Sequence, residues 1–269
     1  MCADDFAISP GTSKTIARLA KGKCINAVSC MAASPHWSEV APLLDGVEEM
    51  DCGDLGPIQI GLHLVLATEK PLGPMSCVDG NGHLPGPDRL LAMVISGLIK
   101  SEEFNAEIDR QFEAFKFERG HAPDFVDAHQ HVHVYPVIRN LVIAATKRHA
   151  PDAWVRVPTD RLAAMTSRPF PGKAMGSAVH CLGFRSALAK NGLRSNSSFA
   201  GHYDFGEKYE DYLPRFFDHR SSFHLIMCHP GTDEMEGDAI ATARVNEADI
   251  IGRATLAERV SRFRSLAAA

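Results

Sequence analysis

Apolar positions along this chain follow two rhythms. Short apolar runs at residues 25–31, 58–66, 125–129, 154–157 and 224–228 have the length and composition of strands. Between them the period lengthens to that of helices. Phe104, Ile108, Phe112 and Phe115 recur at steps of four, four and three, one apolar stripe that Gly120 and Pro123 close. Ile138, Leu141, Val142 and Ala145 mark another helix with Pro136 as its first residue, and Ser9-Pro10-Gly11 turns into one carrying Ile16 and Leu19. Asn246 is placed to cap a last helix holding Ile250, Leu256, Val260 and Phe263. Such alternation predicts an α/β fold with a parallel sheet, open or closed into a barrel. In either architecture functional side chains gather where strands end. Two stretches break the rhythm: 71–87, rich in Gly and Pro, reads as a loop beside the site, and 167–206 as a long substrate-binding excursion.

Composition narrows the function. A chain of 269 residues, 45% hydrophobic and 23% charged, can bury the core of one large domain or two small ones. A net charge of -5 gives no electrostatic reason to expect a nucleic-acid partner. No apolar run approaches the ~18–20 residues of a membrane span, so none is expected. Asp4 and Asp5 stand where a signal peptide would be basic and then apolar. Seven scattered cysteines without a CxxC pair predict reduced thiols in a cytoplasmic protein, with neither a disulfide framework nor a cysteine zinc site.

Three pieces carry the chemistry: Ala3-Asp4-Asp5-Phe6, Gly61-Leu62-His63-Leu64 and Asp127-Ala128-His129-Gln130-His131-Val132-His133. Each sets carboxylates or imidazoles at or beside a strand end. One carboxylate and two neutral imidazoles hold a divalent metal with positions left open for water and substrate, and a second adjacent carboxylate supplies a base. Taken alone, Asp4-Asp5 is ordinarily a helix cap and His63 a hydrogen-bonded core histidine. The third piece is harder to dismiss. In an extended strand Asp127, His129, His131 and His133 share one face, costly to bury without partners and best explained by a metal ligand with its supporting shell. The run 223–231 ends in His229 before Pro230-Gly231, where a general acid can sit. Phe199 and Tyr203, in the polar stretch 195–206, are candidates to stack on a sugar face.

In order and spacing, these pieces together with Arg156-Val157-Pro158 and Met227-Cys228-His229-Pro230-Gly231 resemble the YdjC-like carbohydrate deacetylase family, which includes chitooligosaccharide deacetylases and hopanoid-biosynthesis-associated deacetylases. The resemblance runs from the first residues to the last helix. It implies a (β/α) barrel-like fold, a single domain over 1–269, and removal of an acetyl group from an N-acetylated sugar or small glycoconjugate, giving acetate and an amino sugar. It assigns His63 and His129 as metal ligands with Asp5, Asp4 as the base, His229 as the proton donor to the leaving amine, and Arg156 as the group that orients Asp4 or substrate. It leaves the roles of His131 and His133 open. The cofactor it implies is one divalent ion, magnesium or zinc first, with manganese, iron or cobalt also compatible with such ligands. A homo-oligomer is left open.

The chain departs from that pattern. Relatives usually carry several apolar residues and an Asn before the Ala-Asp-Asp, and a Gly after the Phe. Here Cys2 and Ala7 stand in the Asn and Gly positions, so the first barrel strand is expected to be distorted or cut short, with the chain starting inside it. Leu225 stands four before His229, where relatives often have Glu. Three rivals follow. A non-haem iron oxygenase uses the same two-histidine, one-carboxylate triad. A non-catalytic sugar- or metal-binding relative would keep the ligands and lose turnover. A glycoside hydrolase would need two carboxylates flanking the bond, not a metal site.

Overall fold

The computed structural model describes residues 1–266. The chain opens with β1 (Cys2–Phe6), α1 (Pro10–Lys21), β2 (Ala27–Cys30), a short α2 (Trp37–Val40) and β3 (Gln59–Leu64). Two helices, α3 (Pro87–Ile95) and α4 (Ser101–Arg119), lead to β4 (Phe125–Ala128), then α5 (Ile138–His149) and β5 (Trp154–Val155). After α6 (Leu162–Ser167), the stretch expected to be loop folds as α7 (Pro171–His180), α8 (Phe184–Lys190), β6 (Arg194–Ser195) and β7 (Ser198–Ala200). Next come α9 (Tyr209–Phe216), β8 (His224–Cys228), α10 (Ala241–Gly252) and α11 (Leu256–Leu266). Among the described residues no helix is long and apolar enough to cross a membrane.

The eight strands form one parallel sheet in the order β6-β5-β4-β3-β2-β1-β8-β7. Its two end strands are separated by only Asn196 and Ser197, so the sheet curls until its ends meet through the chain. β6 pairs with β5 and β7 with β8. Asn196 bridges the gap by mimicking a strand: its amide accepts from the Val157 N–H at 2.7 Å and donates to the Val157 carbonyl at 3.0 Å. This is the barrel-like α/β fold expected.

Period-two alternation then divides the core. Ala3, Val28, Leu62, Val126, Val155 and Ile226 face outward and join the large cluster beneath the helices. Cys2, Ala27, Phe125, Trp154, Phe199, Leu225 and Met227 face inward and form a second cluster. Phe125 and Trp154 stack there at 4.6 Å, and Gly61 makes room, because a Cβ on it would meet the Phe125 ring at 2.4 Å. The next inward positions along the strands are Asp4, Ser29, His63, Asp127 and Arg156, a polar layer lying on this apolar floor.

Several expectations need correction. β1 runs over five residues and is paired on both edges, with β2 and with β8, and the distortion in it is a bulge. Pro136 precedes its helix, which starts at Ile138 after Val137 at φ 67. Asn246 lies inside α10, donating to the Glu207 carbonyl, and the apolar positions assigned to one helix belong to two. Ser9 caps α1, accepting from the Thr12 N–H at 3.2 Å, so neither Asp4 nor Asp5 is spent on that role.

Candidate metal centre and catalytic site

The bulge in β1 explains how adjacent carboxylates serve one site. Cys2 pairs with Ala27, Ala3 with Val28 and Phe6 with Cys30, so Asp4 and Asp5 together stand opposite Ser29. In a regular strand neighbours face opposite sides; one extra residue breaks the alternation. Asp5 takes φ 65, a left-handed conformation that Asp tolerates better than most residues. Both carboxylates are buried and line one cavity of about 650 Å³ with His63, His129 and His229.

Asp5, His63 and His129 offer ligand atoms that all lie within 4.8 Å of one another. Asp5 Oδ1 is 3.4 Å from His63 Nε2 and 3.1 Å from His129 Nδ1. His63 Nδ1 lies 2.6 Å from Asp127 Oδ1, which also accepts from Ser29 Oγ at 2.5 Å, and this turns Nε2 toward Asp5. Burial opposes a charge on His63, yet Asp127, Asp5 and Asp4 raise it to about 10. Burial likewise opposes the Asp5 charge, and Arg244 and His129 overcome it and hold the carboxyl well below its ordinary range. Such surroundings favour a cation, and the donor set of one carboxylate and two imidazoles fits a divalent metal.

A second cluster, Cys2, Asp4 and Asp127, has similar ligand types. It is already filled by a guanidinium. Arg156, fully buried, donates to Asp4 Oδ2 at 2.5 Å and Oδ1 at 2.6 Å, and its Nη2 lies 2.6 Å from Asp127 Oδ2 and 3.1 Å from Cys2 Sγ. Burial also keeps the Cys2 thiol well above its usual range. Arg156 thus ties Asp4 to the carboxylate that orients His63.

His229 follows β8 and lines the cavity, its ring 5.3 Å from Phe205. Burial lowers it to about 4, against the pull of Asp5 and Asp4, so it rests neutral. The other histidines scatter. The strand ends at Ala128 and residues 129–134 form a tight helical turn with Gln130 and His131 left-handed, so the shared face expected of Asp127, His129, His131 and His133 does not exist. His131 lines the cavity, whereas His133 is buried elsewhere, its Nε2 2.8 Å from the Arg156 carbonyl. Phe199 is buried in β7 within the inner cluster and cannot stack on a ligand. Tyr203 lines the cavity but is 2% exposed and spends its hydroxyl on Glu247.

Residues 1–262 match the YdjC-like protein family over the whole barrel. The chain belongs to that family. It is 26% identical over 257 residues to a chitooligosaccharide deacetylase of Escherichia fergusonii, covering 94% of this chain and 90% of that one. A chitooligosaccharide deacetylase of Citrobacter koseri is 23% identical over 261 residues with the same coverage. One from Serratia marcescens is 30% identical over 146 residues, 53% of each chain. In shape, the chain is similar to an Enterococcus faecalis crystal structure provisionally described as a cellobiose-phosphate cleavage protein. The TM-score is 0.68 and the identity 18%, over 98% of this chain and 97% of that one.

This YdjC-like chain also holds site residues that motif reading passed over. Arg244 of α10 donates to Asp5 Oδ2 at 2.8 Å and to Asp238 at 2.7 Å. Glu247, one turn on, accepts from the His229 backbone N–H at 2.5 Å and from the Tyr203 hydroxyl. Leu225 packs in the inner cluster, so a carboxylate reaches His229 from α10 instead of from β8. The signal was present: Ala243, Arg244, Glu247, Ala248 and Ile251 form a buried stripe at helical spacing with two charges in it. Phe205, half-buried on the cavity wall under Lys173 at 5.4 Å from its ring, is the aromatic best placed to meet a ligand.

Proposed function

We propose that this chain is a metal-dependent carbohydrate N-deacetylase that releases acetate from a small N-acetylated sugar or glycoconjugate. The observation that carries this reading is the convergence of Asp5, His63 and His129 beside a second buried carboxylate, Asp4, on one cavity. The naming of relatives as chitooligosaccharide deacetylases supports the substrate class. When bound by Asp5, His63 and His129, a divalent cation supplies Lewis acidity, polarising the acetyl carbonyl and acidifying water. The two imidazoles suit zinc more than magnesium, which prefers all-oxygen shells.

The chain's own residues do the rest. Asp4 takes the proton of the attacking water on Oδ2; Arg156 fixes the carboxylate plane, the Cys2 thiol donates to Oδ1, and Oδ2 keeps a second lone pair free. Asp127 and Ser29 hold the His63 ring, and Arg244 holds Asp5, so the ligands are set before substrate arrives. His229 takes up a proton and passes it to the sugar nitrogen as the C–N bond breaks. Phe205 offers an apolar face to the sugar ring. The cavity is the size of a small-molecule site, and a second hollow of about 320 Å³ adjoins it at Ile8 and Glu69.

The decisive experiment is acetate release from a panel of N-acetylated sugars after chelation and after metal add-back, with elemental analysis of His63→Ala and His129→Ala. Metal-restored acetate release and loss of bound metal in both variants are expected. Full metal occupancy in both variants, or acetate release untouched by chelation, sinks the reading.

A further inference from the structure

Helix α10 touches both halves of the site. Arg244 and Glu247 sit one turn apart on its buried stripe, 2% and 0% exposed, each aimed at a different functional residue. Arg244 grips the outer oxygen of Asp5. Glu247 has neither guanidinium nor ammonium among its hydrogen-bond partners; its two oxygens are taken by the Tyr203 hydroxyl and by the backbone N–H of His229. That N–H is the first after β8 ends, where no neighbouring strand is left to accept it. The ring of His229 packs edge-on against Phe205 but has no hydrogen-bonded anchor at its buried Nδ1 among the described residues. Its placement therefore depends on where its backbone is held.

We infer that Glu247 is a positioning residue for the proton-donating step: it fixes the His229 backbone at the cavity wall, and Tyr203 fixes Glu247. Glu247 lines no part of the cavity and so touches no substrate. The inference rests on the proposed role of His229 as proton donor to the amine. A buried carboxylate suits this task because, in its ionised form, it accepts two hydrogen bonds at once and charge strengthens both. An amide in its place keeps the volume and one acceptor, but must turn a donor toward one of two groups that are themselves donors.

The test is a double-mutant cycle read on two kinds of substrate. Glu247→Gln should lower kcat for acetate release from an N-acetylated disaccharide roughly tenfold, a fraction of the roughly 10²–10⁴-fold that general acid catalysis contributes, and leave KM and metal content near wild type. In a His229→Ala background the same change should have no further effect. An aryl acetate, whose phenolate leaves without a proton, should be turned over by Glu247→Gln at close to the wild-type rate. Additive losses in the cycle, or equal losses on amide and aryl ester, overturn the inference. Tyr203→Phe, which keeps the aromatic packing and frees one Glu247 oxygen, gives a milder second reading: a two- to threefold loss in kcat that vanishes in the His229→Ala background. No loss in either variant also overturns it. Were His229→Ala itself to leave the disaccharide rate unchanged, the assigned role of His229 would fall, which is a different result from a normal His229 dependence with an indifferent Glu247.

Discussion

Arg156 sits between two buried carboxylates with no solvent to screen any of them. Removing one partner of such a buried cluster typically costs about 3–5 kcal/mol, because the remaining charges are left facing each other. Arg156→Met should therefore lower the free energy of unfolding, read from denaturant titration, by that much even in metal-free protein; a loss below about 1 kcal/mol would show that Asp4 and Asp127 have other support. Ala7 makes the opposite case. It holds φ 77, which costs an L-residue with a Cβ about 1–2 kcal/mol and a glycine little. Ala7→Gly should leave stability unchanged or raise it by up to about 1 kcal/mol, unlike nearly every other glycine substitution in a buried segment; a clear loss in a melting curve would contradict this. Sequence alone marked Asp4, Asp5, His63, His129 and His229, because each occupies a short motif at a strand end. It could not mark Phe205 or separate Phe199 from it. Which aromatic faces the cavity depends on where β7 stops, and three residues of strand leave no periodicity to read.

At the scale of elements, β2, β3, β4, β5 and β8 were legible as apolar runs, and β6 and β7 were not. β6 and β7 are held by pairing to β5 and β8 and by Asn196, contacts invisible in a local window. Helices α7 and α8 were read as loop for a related reason: α7 buries only Ala174, so it shows no apolar stripe, and Gly172, Gly176 and Gly183 look like turns. The β1 bulge was signalled by its residues, since two adjacent acids cannot share a face of a regular strand. Helix α10 carries a prediction of its own. Burial raises the Glu247 carboxyl to about 7, against the hydrogen bonds from Tyr203 and the His229 amide. The folded state thus holds this proton more tightly than the unfolded chain does. The resulting stability is full below the unfolded value, near 4.5, and is lost as pH rises through about 7. Between pH 5 and pH 8 the wild type should lose more melting temperature than Glu247→Gln, in which the group does not titrate. Parallel curves for the two proteins would mean that Glu247 titrates in the ordinary carboxylate range.

For the whole molecule, the curled sheet sets the size of what can be bound. The polar layer lies directly on an apolar floor of Phe125, Trp154 and Leu225, so nothing can pass down the barrel axis and substrate must enter from the mouth. There the main cavity, about 650 Å³, shares Ile8 and Glu69 with the adjoining hollow lined by Pro35, His36 and His83. One ring held at the metal centre thus leaves space for a neighbouring ring or carrier on that side. The cavity walls include residues 68–69 after β3, residues 129–131 after β4, residues 202–205 after β7 and residues 235–240 between β8 and α10. A continuous polymer strand would need a groove open at both ends, and these lining segments are expected to close it. A soluble N-acetylated disaccharide should therefore give a kcat/KM at least tenfold above that of the free N-acetylated monosaccharide, which leaves the adjoining hollow empty. Insoluble chitin should release acetate only slowly, through its few accessible chain ends. Initial rates of acetate release at matched concentrations of N-acetyl groups make the comparison. Faster release from the polymer than from the disaccharide would mean that the cleft is open at both ends and that the substrate is a chain, not a small sugar.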